Sequence, residues 1–165
     1  MAAKNQYGIS GFNHVGLTIE IKAASESDFP FCWNLYRDFM QPLANSNPMQ
    51  SDRQDKARIK SSFFSNHAAI LIVDGKRAGW LELEEDDAAI HLHQLHILAG
   101  YQGLGIGSNI IDQIFVIAAD KSKSVKLEVL RKNTGAVRLY KRLGFRILRA
   151  DTRKYFMTTI KPDCR

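Results

Sequence analysis

The stretch Leu95-His96-Ile97-Leu98-Ala99-Gly100-Tyr101-Gln102-Gly103-Leu104-Gly105-Ile106-Gly107-Ser108 joins an apolar run to a glycine cluster. Beyond it Ile106, Ile110, Ile111, Ile114, Ile117 and Ala118 recur at helical spacing, so the cluster stands between a strand and the N-terminus of a helix. Unpaired N–H groups and the helix dipole favour an anion at such a place, and small residues let a phosphate approach the backbone. Two phosphate motifs fail here. A G-x-G-x-x-G fingerprint begun at Gly103 meets Ser108, and one begun at Gly105 meets Ile110; no Gly-Lys-Ser/Thr follows for a P-loop. A tight turn without a ligand is the plain alternative.

The strand entering the loop, residues 88–97, changes phase: Ile90 and Leu92 are apolar on even positions, Leu95 and Ile97 on odd ones. A strand with one buried face does this if it carries a bulge or twists away from its neighbour. A bulge leaves backbone groups unpaired that a ligand can take.

Working outward, residues 68–73 and 77–83 are β-prone runs separated by Asp74-Gly75, which suits a tight antiparallel hairpin. Before them, Leu17-Thr18-Ile19-Glu20-Ile21 alternates as a strand. Ser27 offers a cap to a helix with the stripe Phe31/Cys32, Leu35/Tyr36 and Phe39/Met40, ending before Pro42. Asn45-Ser46-Asn47-Pro48 reads as a loop and residues 52–64 as a weaker helix. After the long helix, Val125, Leu127 and Val129 alternate as a strand. Asn133-Thr134 caps a helix bearing Ala136, Val137, Tyr140 and Leu143, with Gly144 at its C-terminus, and two short strands follow at 145–148 and 154–160. The fold class is α/β (α+β): a mixed sheet with an antiparallel front half and about four helices.

The 165 residues show no repeat, low-complexity tract or linker, so a single domain over 1–165 is expected, with 1–16 the segment expected to fray. Cys32 and Cys164 have no metal-ligand spacing, and no apolar run reaches the length of a membrane span. A cytoplasmic protein without a metal is the expectation. The net charge of +6 is uneven: residues 121–165 carry 14 Lys/Arg against 3 Asp/Glu, residues 1–120 carry 9 against 14. A basic third of this kind serves a nucleic acid or a phosphorylated cofactor, and most of its charges coat solvated faces on either reading.

Leu95-His96-Ile97 followed by Gln102-x-x-Gly105-x-Gly107 resembles the acyl-CoA signature of the GNAT superfamily of N-acyltransferases. A second motif, Asn133-x-x-Ala136-x-x-x-Tyr140-Lys141-x-x-Gly144-Phe145, is spaced as that family spaces it, and the likeness in element order runs from about Leu17 to Ile160. The resemblance implies a twisted, mostly antiparallel sheet whose central strands, near 88–97 and 125–130, splay apart around the pantetheine arm of acetyl-CoA. It implies that the backbone of Leu95, His96 and Ile97 pairs with that arm, and that the N–H groups of Gln102, Gly103, Leu104, Gly105, Ile106 and Gly107, beside Ser108, receive the pyrophosphate. Asn133 would bond the arm further along, and a Lys or Arg of the basic C-terminal third, with Lys141 and Arg142 among the candidates, would meet the 3′-phosphate. Similar enzymes are often homodimers.

The implied reaction is attack of a neutral amine, small or carried on a peptide or protein, on the thioester. Tyr140 matches the family's general acid; its other reading is a core aromatic. No motif assigns the base, for which His93, His91 and Glu82 are candidates beside Glu84. Each histidine also reads as a surface or hydrogen-bonded side chain. Glu84-Glu85-Asp86-Asp87 could attract a cationic acceptor, but is better read as a solvated hairpin turn. The rivals to an acetyltransferase are a non-catalytic acyl-CoA sensor and, further behind, a nucleic-acid binder.

Overall fold

The computed structural model describes residues 5–43 and 48–160. Asn45-Ser46-Asn47, expected as loop, and Cys164 lie outside the described residues. The elements run β1 (Phe12–His14), β2 (Leu17–Ala23), α1 (Phe29–Met40), α2 (Pro48–Ser62), β3 (Ala68–Val73), β4 (Lys76–Glu85), β5 (Ala89–Ile97), α3 (Ile106–Asp120), β6 (Ser124–Leu130), α4 (Thr134–Arg142), β7 (Arg146–Ala150) and β8 (Lys154–Thr158). They form one eight-stranded sheet in the order β1-β2-β3-β4-β5-β6-β8-β7. The pairs β1–β2, β2–β3, β3–β4, β6–β8 and β7–β8 are antiparallel, and β5 runs parallel to β6 from Ala89↔Ser124 to Leu92↔Leu127. This is the mixed, mostly antiparallel sheet with four helices that the sequence predicts.

The chain divides into two compact units. One holds the residues up to Glu82 together with Gln94–Gly107, the other Leu83–His93 together with the residues from Ser108 onward. In the first unit, Asn5, within the segment expected to fray, is 7% exposed. Its side-chain amide donates to the Ile9 and Ile21 carbonyls at 2.8 and 3.3 Å, and Ile9 is 1% exposed. A strand before the first expected one, β1, pairs with β2, closed by a two-residue turn in which both Val15 and Gly16 have positive φ. Such turns match the twist of antiparallel strands; Asp74 and Gly75 make the same turn between β3 and β4. The cap of the first helical segment is Ser25 rather than Ser27: the Asp28 carboxylate accepts from the Ser25 N–H at 2.8 Å, and Arg77 pairs with it at 2.8 Å. The stripe of α1 (Phe29, Cys32, Trp33, Leu35, Tyr36) packs with Ile59, Phe63, Ala68, Ile70 and Trp80 as the core of this unit. Helix α2 starts earlier than expected, at Pro48, where proline's fixed φ suits a first helical turn, and passes into a π-helical turn over Phe63–His67.

In the second unit, Ile110, Ile111, Ile114 and Ala118 of α3, Val125, Leu127 and Val129 of β6, Val137, Phe145 and Met157 are buried. Helix α4 ends as the sequence predicts. The Gly144 N–H donates to Lys141 and the Phe145 N–H to Tyr140, the paired bonds of a glycine-terminated helix. Among the described residues no helix is long and apolar enough to cross a membrane.

Candidate functional site: a glycine loop and its neighbouring side chains

The hairpin β4–β5 carries one more residue on its β5 side, the bulge that is one of the two readings of the phase change. At its turn the Asp86 N–H donates to the Ala89 carbonyl, and at its far end the Leu98 N–H donates to the Ala78 carbonyl. Between these bonds β4 has eight residue steps, 78 to 86, and β5 has nine, 89 to 98. One extra residue in β5 returns Leu95 and Ile97 to the face of Ile90 and Leu92 and sends His96 to the other. There the His96 imidazole is buried against Tyr36, Phe39 and Trp80, with ring centroids 5.6, 5.5 and 5.7 Å away. Its Nε2 meets Gln94 Oε1 at 2.7 Å, and burial pushes its pKa down to about 4. The β3–β4 ladder shifts register at the same level, between Leu71 and Ile72.

Past Ile97 the chain makes a short turn over Ala99–Tyr101 and enters the glycine loop. Gln102 is used differently from the expectation. Its N–H donates to the Ala99 carbonyl at 3.2 Å and its side-chain amide to the Ile97 carbonyl at 2.8 Å, so it braces the loop onto the strand end instead of offering an N–H to a ligand. Gly103 and Gly105 have φ of 74° and 83°, and a Cβ added at Gly103 would meet nothing within 4 Å. Ile106, 2% exposed, anchors the first turn of α3, while Leu104 keeps 37% of its surface exposed. Gly107 lies close enough to β5 that an added Cβ would sit 3.4 Å from Ile97 Cδ1. The first turn of a helix has N–H groups with no acceptor within the helix, and Ile106, Gly107 and Ser108 supply them here.

The candidate bases separate. Glu82 is 1% exposed; Ser62, the last residue of α2, donates its hydroxyl to Oε1. Among the described residues Glu82 Oε2, Trp80 Nε1 and His96 Nδ1 have no hydrogen-bond partner. Buried polar atoms left this way mark a place for a ligand or for solvent. All three belong to the first unit.

In the second unit, His91 Nε2 meets Asp86 Oδ2 at 2.6 Å and His93 Nε2 meets Glu84 Oε2 at 2.8 Å. Glu85 takes Lys121 and Lys123 at 2.7 and 2.6 Å. Asp86 is held below the usual carboxylate range by His91 first and then by the N–H groups of Ala88 and Ala89. Glu84, Glu85 and Asp86 of the acidic turn thus each hold a side-chain partner within their own unit.

Also in the second unit, Asn133 is the N-cap of α4: its side-chain carbonyl accepts the Ala136 N–H at 3.3 Å, leaving its NH₂ to donate elsewhere. Tyr140 lies in the last full turn of α4, its ring edge-on to Phe145 at 5.5 Å, and burial pushes the phenol up to about 12. Tyr140 is thus packed as an aromatic and holds its proton throughout the neutral range.

Three residues were not singled out from the sequence. Ser62 and Gly79 gave no spacing signal. His14, in β1, places Nε2 2.7 Å from the Leu104 carbonyl, a contact 90 positions apart that no motif reports. No group of three or more His, Cys, Asp or Glu among the described residues is arranged to hold a metal ion.

An uncharacterised N-acetyltransferase of Mycobacterium tuberculosis is 36% identical over 76 residues, 45% of this chain and 49% of that protein. The thialysine N-epsilon-acetyltransferase of Sus scrofa is 45% identical over 60 residues, 36% of this chain and 35% of that protein. The chain thus spans half or less of the length of these relatives. Among solved structures, the PaiA N-acetyltransferase of Thermoplasma acidophilum in complex with coenzyme A has a TM-score of 0.68 at 17% identity, covering 86% of this chain and 98% of that one, a likeness of fold. Residues 29–145, from the first turn of α1 to the glycine-terminated end of α4, match the Acetyltransferase (GNAT) family, and the chain belongs to that family.

Proposed function

We propose that this chain, working as one catalytic domain in the cytoplasm, transfers an acetyl group from acetyl-CoA to the nitrogen of a primary amine by direct attack on the thioester. The observation that carries the reading is the passage from β5 through the glycine loop into α3. There the bulged strand gives way to two glycines in the left-handed region and then to the open first turn of a fifteen-residue helix. The open space over Gly103 fits an oxyanion laid against the backbone.

Bound there, acetyl-CoA supplies an activated acyl group and a thiolate leaving group. The chain's own residues do the rest. The N–H groups of residues 103–107 hold the pyrophosphate, the backbone of Leu95, His96 and Ile97 orients the pantetheine arm, and the Asn133 NH₂ donates to it. Lys141 or Arg142 meets the 3′-phosphate. Glu82, with its unpaired Oε2 in a buried setting, takes the proton from the incoming ammonium. Tyr140 donates a hydrogen bond to the departing sulfur. A phenol near 12 is too weak an acid to give its proton fully to a thiolate whose own thiol sits near ~8.5, so it stabilises charge on the sulfur as the C–S bond breaks, and the second proton shed by the adduct nitrogen passes through solvent to the thiolate, releasing the free thiol.

Titration calorimetry with acetyl-CoA, followed by free-thiol release over a panel of small amines and peptide amines, tests the proposal. Saturable binding and amine-dependent thiol release are expected. Absence of binding at millimolar cofactor would end it.

A further inference from the structure

The Nε2 atom of His14 stands 2.7 Å from the Leu104 carbonyl. A carbonyl oxygen only accepts, so the imidazole donates, which fixes the proton on Nε2. At the next residue, an added Cβ on Gly105 would lie 2.9 Å from the same nitrogen, so glycine leaves the room that the ring occupies. The ring is itself set edge-on to Phe12, 6.4 Å between centroids, on the short strand that precedes the turn Val15-Gly16. Val15, a β-branched residue at φ 50°, is a backbone outlier with 70% of its surface exposed, so pairing on either side of it has to hold the turn in place.

In a trans peptide the C=O and the following N–H point in opposite directions. We infer that His14 is a positioning residue for the glycine loop: by holding the Leu104 carbonyl toward β1 it turns the Gly105 N–H outward, toward the anion that the loop receives. This rests on the reading of the loop as a pyrophosphate site. It adds that the N-terminal hairpin, through one imidazole, sets the direction of a peptide 90 positions away.

The test is calorimetry of wild type, His14→Ala and His14→Gln with coenzyme A and with pantetheine, which lacks the pyrophosphate. The alanine variant is expected to bind coenzyme A roughly three- to tenfold more weakly, the range of one hydrogen bond, with pantetheine binding unchanged. The KM for acetyl-CoA rises by the same factor while kcat and the acceptor KM stay level. Glutamine, which keeps an N–H donor, restores most of the loss. Equal coenzyme A affinity in wild type and His14→Ala overturns the inference, and so does an equal loss with pantetheine. If His14→Ala does not fold, nitrogen NMR of the wild-type imidazole decides: a protonated Nε2 supports the donor role and a bare Nε2 overturns it. Wild-type protein that binds no coenzyme A removes the parent reading and this one with it, whereas wild-type binding left untouched by His14→Ala removes this one alone.

Discussion

A Cβ added to Gly79 would run into the backbone carbonyl of His96 on the facing strand, with the Ile97 Cα a further 3.2 Å neighbour. The bulge in β5 brings its main chain over β4 at this level, and only a residue without a side chain leaves space for it. Gly79→Ala is therefore expected to destabilise the protein by about 2 kcal/mol or more, because backbone rather than a flexible side chain must yield. Gly135→Ala, in α4 with nothing within 4 Å, should be neutral or stabilising by up to about 1 kcal/mol. Urea unfolding of the two variants checks the contrast, and equal midpoints would remove the steric argument.

His96 makes stability depend on pH in a defined window. Its pKa is near 6.5 in the unfolded chain and is pushed down to about 4 by burial in the folded one. Between those values the unfolded state binds the proton and the folded state does not. The stabilisation is thus complete above about 6.5 and is lost as pH falls toward 4, at most about 3 kcal/mol over the range. Urea midpoints at pH 7, 5.5 and 4.5 should fall more steeply for wild type than for His96→Leu. Parallel curves would show that the ring does not carry the effect.

The fold was readable because its signals are local. The stripe of α1, the Asp74-Gly75 turn, the isoleucine spacing of α3 and Gly144 each determine their own element within a few residues. The irregularity in β5 was legible too, since the apolar alternation slips between Leu92 and Leu95, but the slip alone leaves a bulge and a twisted strand as alternatives. What escaped were contacts made by folding alone. Nothing near His14 announces that it will meet Leu104, and nothing in Gln102 tells that its N–H will turn back to Ala99. Ser25 displaced Ser27 as the cap because Asp28 could accept from Ser25 and from Arg77 at once, and Arg77 is 49 positions away.

Tyr140→Phe separates chemistry from binding. The phenol is packed against Phe145, so the ring should keep its place when the hydroxyl is removed. Coenzyme A affinity and thermal stability are expected to stay near wild type while kcat drops by roughly a hundredfold, the lower range for loss of one positioned hydrogen-bond donor to developing charge. With the phenol near 12, no loss of rate assignable to Tyr140 should appear below about pH 10. Unchanged kcat would return Tyr140 to a packing role and favour a protein that binds acyl-CoA without turning it over.

The choice among Glu82, His91 and His93 as base rests on what each group already holds. His91 and His93 are each paired with a carboxylate, Asp86 and Glu84, on a partly exposed strand surface. Glu82 is enclosed, has one oxygen bound by Ser62, and leaves the other without a partner among the described residues. A buried acceptor with a free lone pair is the group that gains most from an incoming N–H, since nothing else compensates its removal from water. Glu82→Gln keeps the shape and the bond to Ser62 but cannot take a proton, so kcat should fall by about two orders of magnitude with cofactor affinity intact. The double variant His91→Ala/His93→Ala should stay within a few-fold of wild type. Ser62→Ala should weaken Glu82 without abolishing it, lowering kcat by several-fold, because it frees Oε1 and loosens the carboxylate. Steady-state kinetics on the three variants, with one amine identified by thiol release, decides the matter. A large loss in the histidine variant beside a silent Glu82→Gln would move the proton acceptor to β5.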